Sequence, residues 1–181
     1  MITRREARKA QKRAAKLFKR AGIKLSGDEK PRIEIAEFGL GELDTIGYQQ
    51  ITYANTDKYC AKDVVLFPNQ TCPEHRHPPV GNEPGKRKTL RCRWGRVYLY
   101  IEGERKRKPK CKPPKGSERF FTVFHEIELK SGAQYTVQPN TLHWFQAGEK
   151  GAVISEFSST SRDENDQFTD PRVELMTRII D

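Results

Sequence analysis

The chain has 181 residues, 35% of them hydrophobic and 32% charged, with a formal net charge of +10. That length suits one domain with a real core and leaves little for a second, and the apolar share excludes a disordered chain. The positive charge permits contact with anionic surfaces. Its two basic groups, one in the first two dozen residues and one at 104–115 (ERKRKPKCKPPK), lack interleaved aromatics, so no specific nucleic-acid partner is expected.

The opening MITRREARKAQKR is basic but leads into no apolar stretch, so a secretory leader is not expected. No run reaches the ~20 apolar residues of a membrane span. The expected location is the cytoplasm, with Cys60, Cys72, Cys92 and Cys111 reduced and free of any CxxC pair. Thr3 followed by Glu6 fits a capping box, which predicts a helix within residues 1–24. Ala7, Ala10, Ala14, Leu17, Phe18 and Ala21 recur at helical spacing, and Gly22 is a natural stop. The apolar face is mostly alanine, which predicts packing against the domain or a partner subunit rather than a membrane surface.

From residue 32 to residue 160 the texture is that of strands. QQITYAN, KDVVLFPNQ, RCRWGRVYLYIEG, RFFTVFHEIELKSG, AQYTVQPN, HWFQAGEKG and AVISEFSS are each strand length and bounded by turn residues. In RVYLYIE, Val97, Leu99 and Ile101 alternate with Tyr98 and Tyr100. Many short strands without intervening helices predict an all-β antiparallel barrel or sandwich. Arg105 to Gly116, with three prolines, reads as a long polar loop. The tail, 161–181, is acidic to Asp170, and VELMTRII is expected to close as a short helix. No internal repeat is present.

The four histidines carry the chemical signal. His75 and His77 lie in CPEHRHPP, and residues two apart in an extended segment point to one side. His143, in QPNTLHWFQ, begins another strand. Three imidazoles meeting inside a barrel would suit manganese, zinc, iron, cobalt or nickel.

These segments resemble the cupin family. HxH begins its first motif, and Gly132, Pro139 and His143 match its second. The resemblance extends to the cupin-type sugar isomerases known as D-lyxose isomerases, through TCPEHRHPP, RCRWGRVYLYIEG, YTVQPNTLHWFQAG and SRDENDQFTDP. It implies a jelly-roll (double-stranded β-helix) barrel with an N-terminal α-helix across residues 1–181. It also implies a homodimer and a divalent metal, usually Mn2+, held by His75, His77 and His143. The implied reaction interconverts D-lyxose and D-xylulose, and in many members D-mannose and D-fructose. Within that chemistry Glu156, in VISEFSS, is the expected base. Lys86 matches the family's lysine beside the metal and is the expected oxyanion stabiliser. Trp144 and the tail carboxylates Asp163, Glu164, Asp166 and Asp170 are expected around the sugar.

One position departs from the pattern. The family segment reads like GKEETFRC, its second glutamate being the fourth metal ligand; here GKRKTLRC puts Lys88 there, six residues before Gly95. An ammonium has no lone pair to donate. At roughly 4 Å and an effective dielectric of about 20, its repulsion from a divalent ion is about 8 kcal/mol. Glu83 or Glu156 would then have to serve as ligand, or three histidines alone would, as in three-histidine zinc sites. Two other readings follow: a metal-poor cupin that binds a sugar or anion without catalysis, and a phosphosugar isomerase in which Lys86, Arg87, Lys88 and Arg91 converge on phosphate.

Overall fold

Thr3 and Glu6 form the capping box, Glu6 N–H donating to Thr3 Oγ1 and Thr3 N–H to Glu6 Oε2. They start helix α1 (Arg4–Arg20), which ends before Gly22 with its positive φ. The computed structural model describes residues 1–181. Ala10, Ala14, Leu17 and Phe18 of α1 bury against Ile51, Val65, Phe67 and Val153. The alanine face therefore lets the helix lie close on the outside of a sheet.

The strands are β1 (Ile2–Thr3), β2 (Glu34–Ala36), β3 (Tyr48–Asn55), β4 (Cys60–Leu66), β5 (Thr71–Arg76) and β6 (Lys88–Ile101), followed by β7 (His125–Lys130), β8 (Gln134–Val137), β9 (His143–Ser158), β10 (Gln167–Phe168) and β11 (Ile179–Ile180). One path of antiparallel pairs runs β10–β5–β9–β4–β3–β2, and β6 pairs with β9, β7 and β8. β9 is the hinge of the fold. Its first half pairs with β5 and the end of β6, and its second half with β4 and the start of β6. The two curled sheets so formed are the expected cupin barrel.

The long strands bend because β6 slips register at Cys92–Trp94 and Gly95–Val97. Gly95, at φ 79°, lies against the Gly151 carbonyl where a Cβ has no room. This crossing explains why HWFQAGEKG and AVISEFSS, expected as two strands, form one. Inward-facing Val64, Leu66, Leu90, Cys92, Val97, Leu99, Phe145 and Ile154 fill one end of the barrel.

Two further expectations are corrected. RFFTVF is not strand: Glu118–Phe120 is a 3-10 turn, and the segment packs Phe121 beneath Trp144. VELMTRII is not helix; Ile179–Ile180 pairs in parallel with Ile2–Thr3. An eight-residue helix is marginal alone, while β-branched isoleucines suit an extended edge. All four cysteines are free and buried, and no helix is long and apolar enough to cross a membrane.

Candidate active site

β5 carries the first histidine through a break in alternation. Its pairing with β9 shifts between Cys72 and His75, around Pro73, so Cys72 and His75 both face the interior while Glu74 turns outward. There Glu74 accepts from the amides of Thr122 and Val123 and the hydroxyls of Thr122 and Thr169, which ties down two covering segments. His77 follows two residues after His75, and His143 stands opposite His75 in the β5–β9 register.

The three imidazoles are oriented alike. His75 Nδ1 bonds the Pro73 carbonyl at 2.7 Å, His143 Nδ1 the Thr141 carbonyl at 2.8 Å, and His77 Nδ1 the Asp166 carboxylate. An acceptor at Nδ1 fixes the proton there and leaves the Nε2 lone pair free. Candidate ligand atoms of all three lie within 4.8 Å of one another. The Nε2 atoms of His77 and His143 are buried without a partner, as expected of groups awaiting a cation. Burial keeps all three rings neutral, pushing their pKa values down, His75 to about 3. The histidines fit a divalent metal. Lys88 does not add a ligand to them: its ammonium lies 3.5 Å from His75 Nε2.

Beside the histidines is an array of opposite charges in which Lys62, Lys86, Lys88 and Glu156 are buried and Asp163 is partly exposed. Lys86 Nζ lies 3.6 Å from Glu156 Oε1, 3.1 Å from Asp163 and 2.9 Å from Ser161 Oγ. Lys62 reaches the other Asp163 oxygen at 3.3 Å, and Lys88 lies 4.0 Å from Glu156 Oε2. Burial alone would raise the Glu156 carboxyl, but Lys86, Lys88 and Lys62 hold it down at about 2. Burial pulls the Lys86 ammonium down, and Glu156 with Asp163 more than reverses this. For Lys88 burial prevails and its pKa falls. Burial raises Asp166 to about 7.

The D-lyxose isomerase family pattern matches residues 32–181. A D-lyxose/D-mannose isomerase of Thermosediminibacter oceani is 57% identical over 181 residues, all of both chains. The chain belongs to the D-lyxose isomerase family. A D-lyxose ketol-isomerase of Cohnella laeviribosi is 58% identical over 171 residues, 94% of each chain. Among solved structures, an L-ribose isomerase of Cellulomonas parahominis superposes with a TM-score of 0.82 at 15% identity, over 99% of this chain and 98% of that one. That likeness is one of fold.

In this D-lyxose isomerase family member the barrel brings together His75, His77, His143, Lys86, Lys88, Glu156, Asp163 and Asp166, and leaves other expected residues outside. Trp144 is corrected: it follows inward-facing His143 and so points out of the barrel. It stacks on Tyr100 at 4.0 Å between ring centroids, its Nε1–H donating to the Val123 carbonyl. Glu164 is exposed on a turn, and Asp170 is taken by Arg172. Glu83 is an exposed partner of Arg162 rather than a ligand. Arg87 is exposed and Arg91 bonds Gln134, so the four basic residues of 86–91 do not converge. Missing from the expected set are Tyr48, Gln50, Lys62 and Phe168, which line the same pocket. Strand alternation points Tyr48 and Gln50 one way on β3, but nothing local marks that side as interior.

Proposed function

We propose that the protein is an aldose–ketose isomerase that interconverts D-lyxose and D-xylulose, with D-mannose and D-fructose as a second pair. The observation that carries this reading is Glu156 Oε1, a buried carboxylate oxygen without a hydrogen bond, in the same pocket as His75 and His77. A divalent metal, Mn2+ first, held by His75, His77 and His143, would polarise the sugar oxygens. Glu156 removes the proton from the carbon beside the carbonyl and returns it to the neighbouring carbon. A proton moves between the two sugar oxygens to complete the exchange. Lys86, fixed by Asp163 and Ser161, steadies the negative charge that develops on oxygen. Asp166 orients His77, and Tyr48 and Gln50 are placed to bind hydroxyls.

The charges favour a neutral sugar over a phosphosugar. Lys62, Lys86 and Lys88 are matched by Glu156, Asp163 and Asp166, which leaves no free cation cluster for a phosphate. The same reading takes residues 1–181 as one cytoplasmic domain forming a homodimer. Exposed Tyr59 and Phe157, beside and on paired strands, offer apolar surface for it. Incubation of purified protein with D-lyxose and Mn2+, assayed for D-xylulose, tests the activity. Release of D-xylulose that is lost in Glu156→Gln supports it, and no turnover of either sugar pair overturns it.

A further inference from the structure

The Lys88 side chain has no task in the reaction assigned above, yet it lines the same pocket as His75, His77 and Glu156. It enters from the first residue of β6 and is 3% exposed. Its ammonium faces three groups: His75 Nε2 at 3.5 Å, Glu156 Oε2 at 4.0 Å and the Phe145 ring at 5.7 Å from the centroid. His75 keeps its Nδ1 proton on the Pro73 carbonyl, so its Nε2 presents a lone pair, and Lys88 donates into it. Of the three histidine Nε2 atoms, this is the one with a partner; those of His77 and His143 have none.

A lone pair serves one cation at a time. The ammonium brings only donors, so it cannot share His75 with a metal as a carboxylate would share the metal with His75. Charge points the same way. Counted as ionised, Lys62, Lys86 and Lys88 balance Glu156, Asp163 and Asp166, and a divalent ion would add two uncompensated charges to a buried site. Lys86 and Lys62 have fixed carboxylate partners in Asp163. Lys88 has only the looser contact to Glu156, so it is the cation free to leave.

We propose that the Lys88 ammonium is a tethered cation at the histidine cluster and competes with a divalent metal ion for His75 Nε2. Metal enters as Lys88 withdraws, and the chain tunes its own metal affinity through that side chain. This rests on the reading of His75, His77 and His143 as metal ligands. A tethered competitor acts at a high effective concentration, so its removal has a large effect.

Metal-stripped wild type, Lys88→Met and Lys88→Glu, equilibrated with graded Mn2+ and read by bound metal and by thermal shift, test it. Lys88→Met keeps an unbranched side chain one atom shorter and removes the charge, and it should bind Mn2+ tighter than wild type by on the order of 100-fold. The gain should vanish when His75→Ala is added. Should the methionine variant not fold, Lys88→Gln, which also removes the ammonium and adds no carboxylate, takes its place. Wild type binding Mn2+ as tightly as Lys88→Met overturns the competition and leaves the histidine site standing. A gain in Lys88→Glu alone, with Lys88→Met folded, also overturns it, because the defect would then be a missing ligand. No Mn2+ on any of the three overturns the histidine metal reading and the competition with it.

Discussion

Glu156 Oε1 and Lys86 Nζ face each other at 3.6 Å, both buried, with no hydrogen bond satisfying the carboxylate oxygen. The distance is too long for a bond and short enough for strong attraction. The pair therefore supplies a carboxylate that stays ionised without using up its lone pair. Glu156→Gln preserves shape and removes the base. The expected result is a fall in kcat of about 10²–10⁴-fold with KM little changed, at unchanged circular dichroism. Steady-state assays with D-lyxose check this, and full activity in the variant would remove Glu156 from the mechanism.

Asp166 holds His77 through Nδ1, so it acts on any bound metal without touching it. Outer partners of ligating histidines are worth roughly 10–100-fold in metal affinity. Asp166→Asn keeps the side-chain size but lets an amide N–H face the ring, favouring the wrong tautomer. Mn2+ titrations should show weaker binding by about that factor. Stripping wild type with a chelator should abolish D-lyxose turnover, and added Mn2+ should restore it.

Features set by neighbouring residues were readable from the sequence. The capping box at Thr3 and Glu6, the helix stop at Gly22 and the shared direction of His75 and His77 need only local geometry. What required the closed barrel was inside-versus-outside. Lys62 on β4 reads as a solvent lysine, yet the curl of the sheet turns its side inward beside Val64. Trp144 neighbours His143 in sequence, yet adjacent residues on a strand face apart, and its ring lies among aromatics outside the barrel. The slip at Pro73 and the crossing of Gly95 over Gly151 depend on partners far along the chain, and no local pattern announces them.

Trp144 provides a test of that correction. It is fully buried among Tyr100, Phe121 and Phe124, where truncation leaves a cavity and the Val123 carbonyl unpaired. Trp144→Ala should cost about 3–5 kcal/mol in denaturant unfolding. Trp144→Phe should cost less and, at temperatures where it is folded, leave KM for D-lyxose unchanged. A raised KM with unchanged stability would return Trp144 to the sugar site.

Glu126 sits behind that aromatic cluster, its side chain fully shielded. It accepts from Lys106 Nζ, from the Lys110 amide at 2.6 Å and from the Tyr100 hydroxyl at 2.8 Å. Burial raises its pKa, but these donors outweigh it and the carboxyl ends below its ordinary 4.5. A depressed folded value means that the unfolded chain binds the proton first. The stabilisation from Glu126 is therefore complete above about pH 4.5 and disappears as pH falls through the folded value. Glu126→Gln should lower Tm at neutral pH and lose less of it on acidification than wild type does. Thermal melts of both proteins at neutral pH and below the carboxylate range measure the difference, and parallel pH profiles would show that the basic loop at 104–115 is not anchored through Glu126.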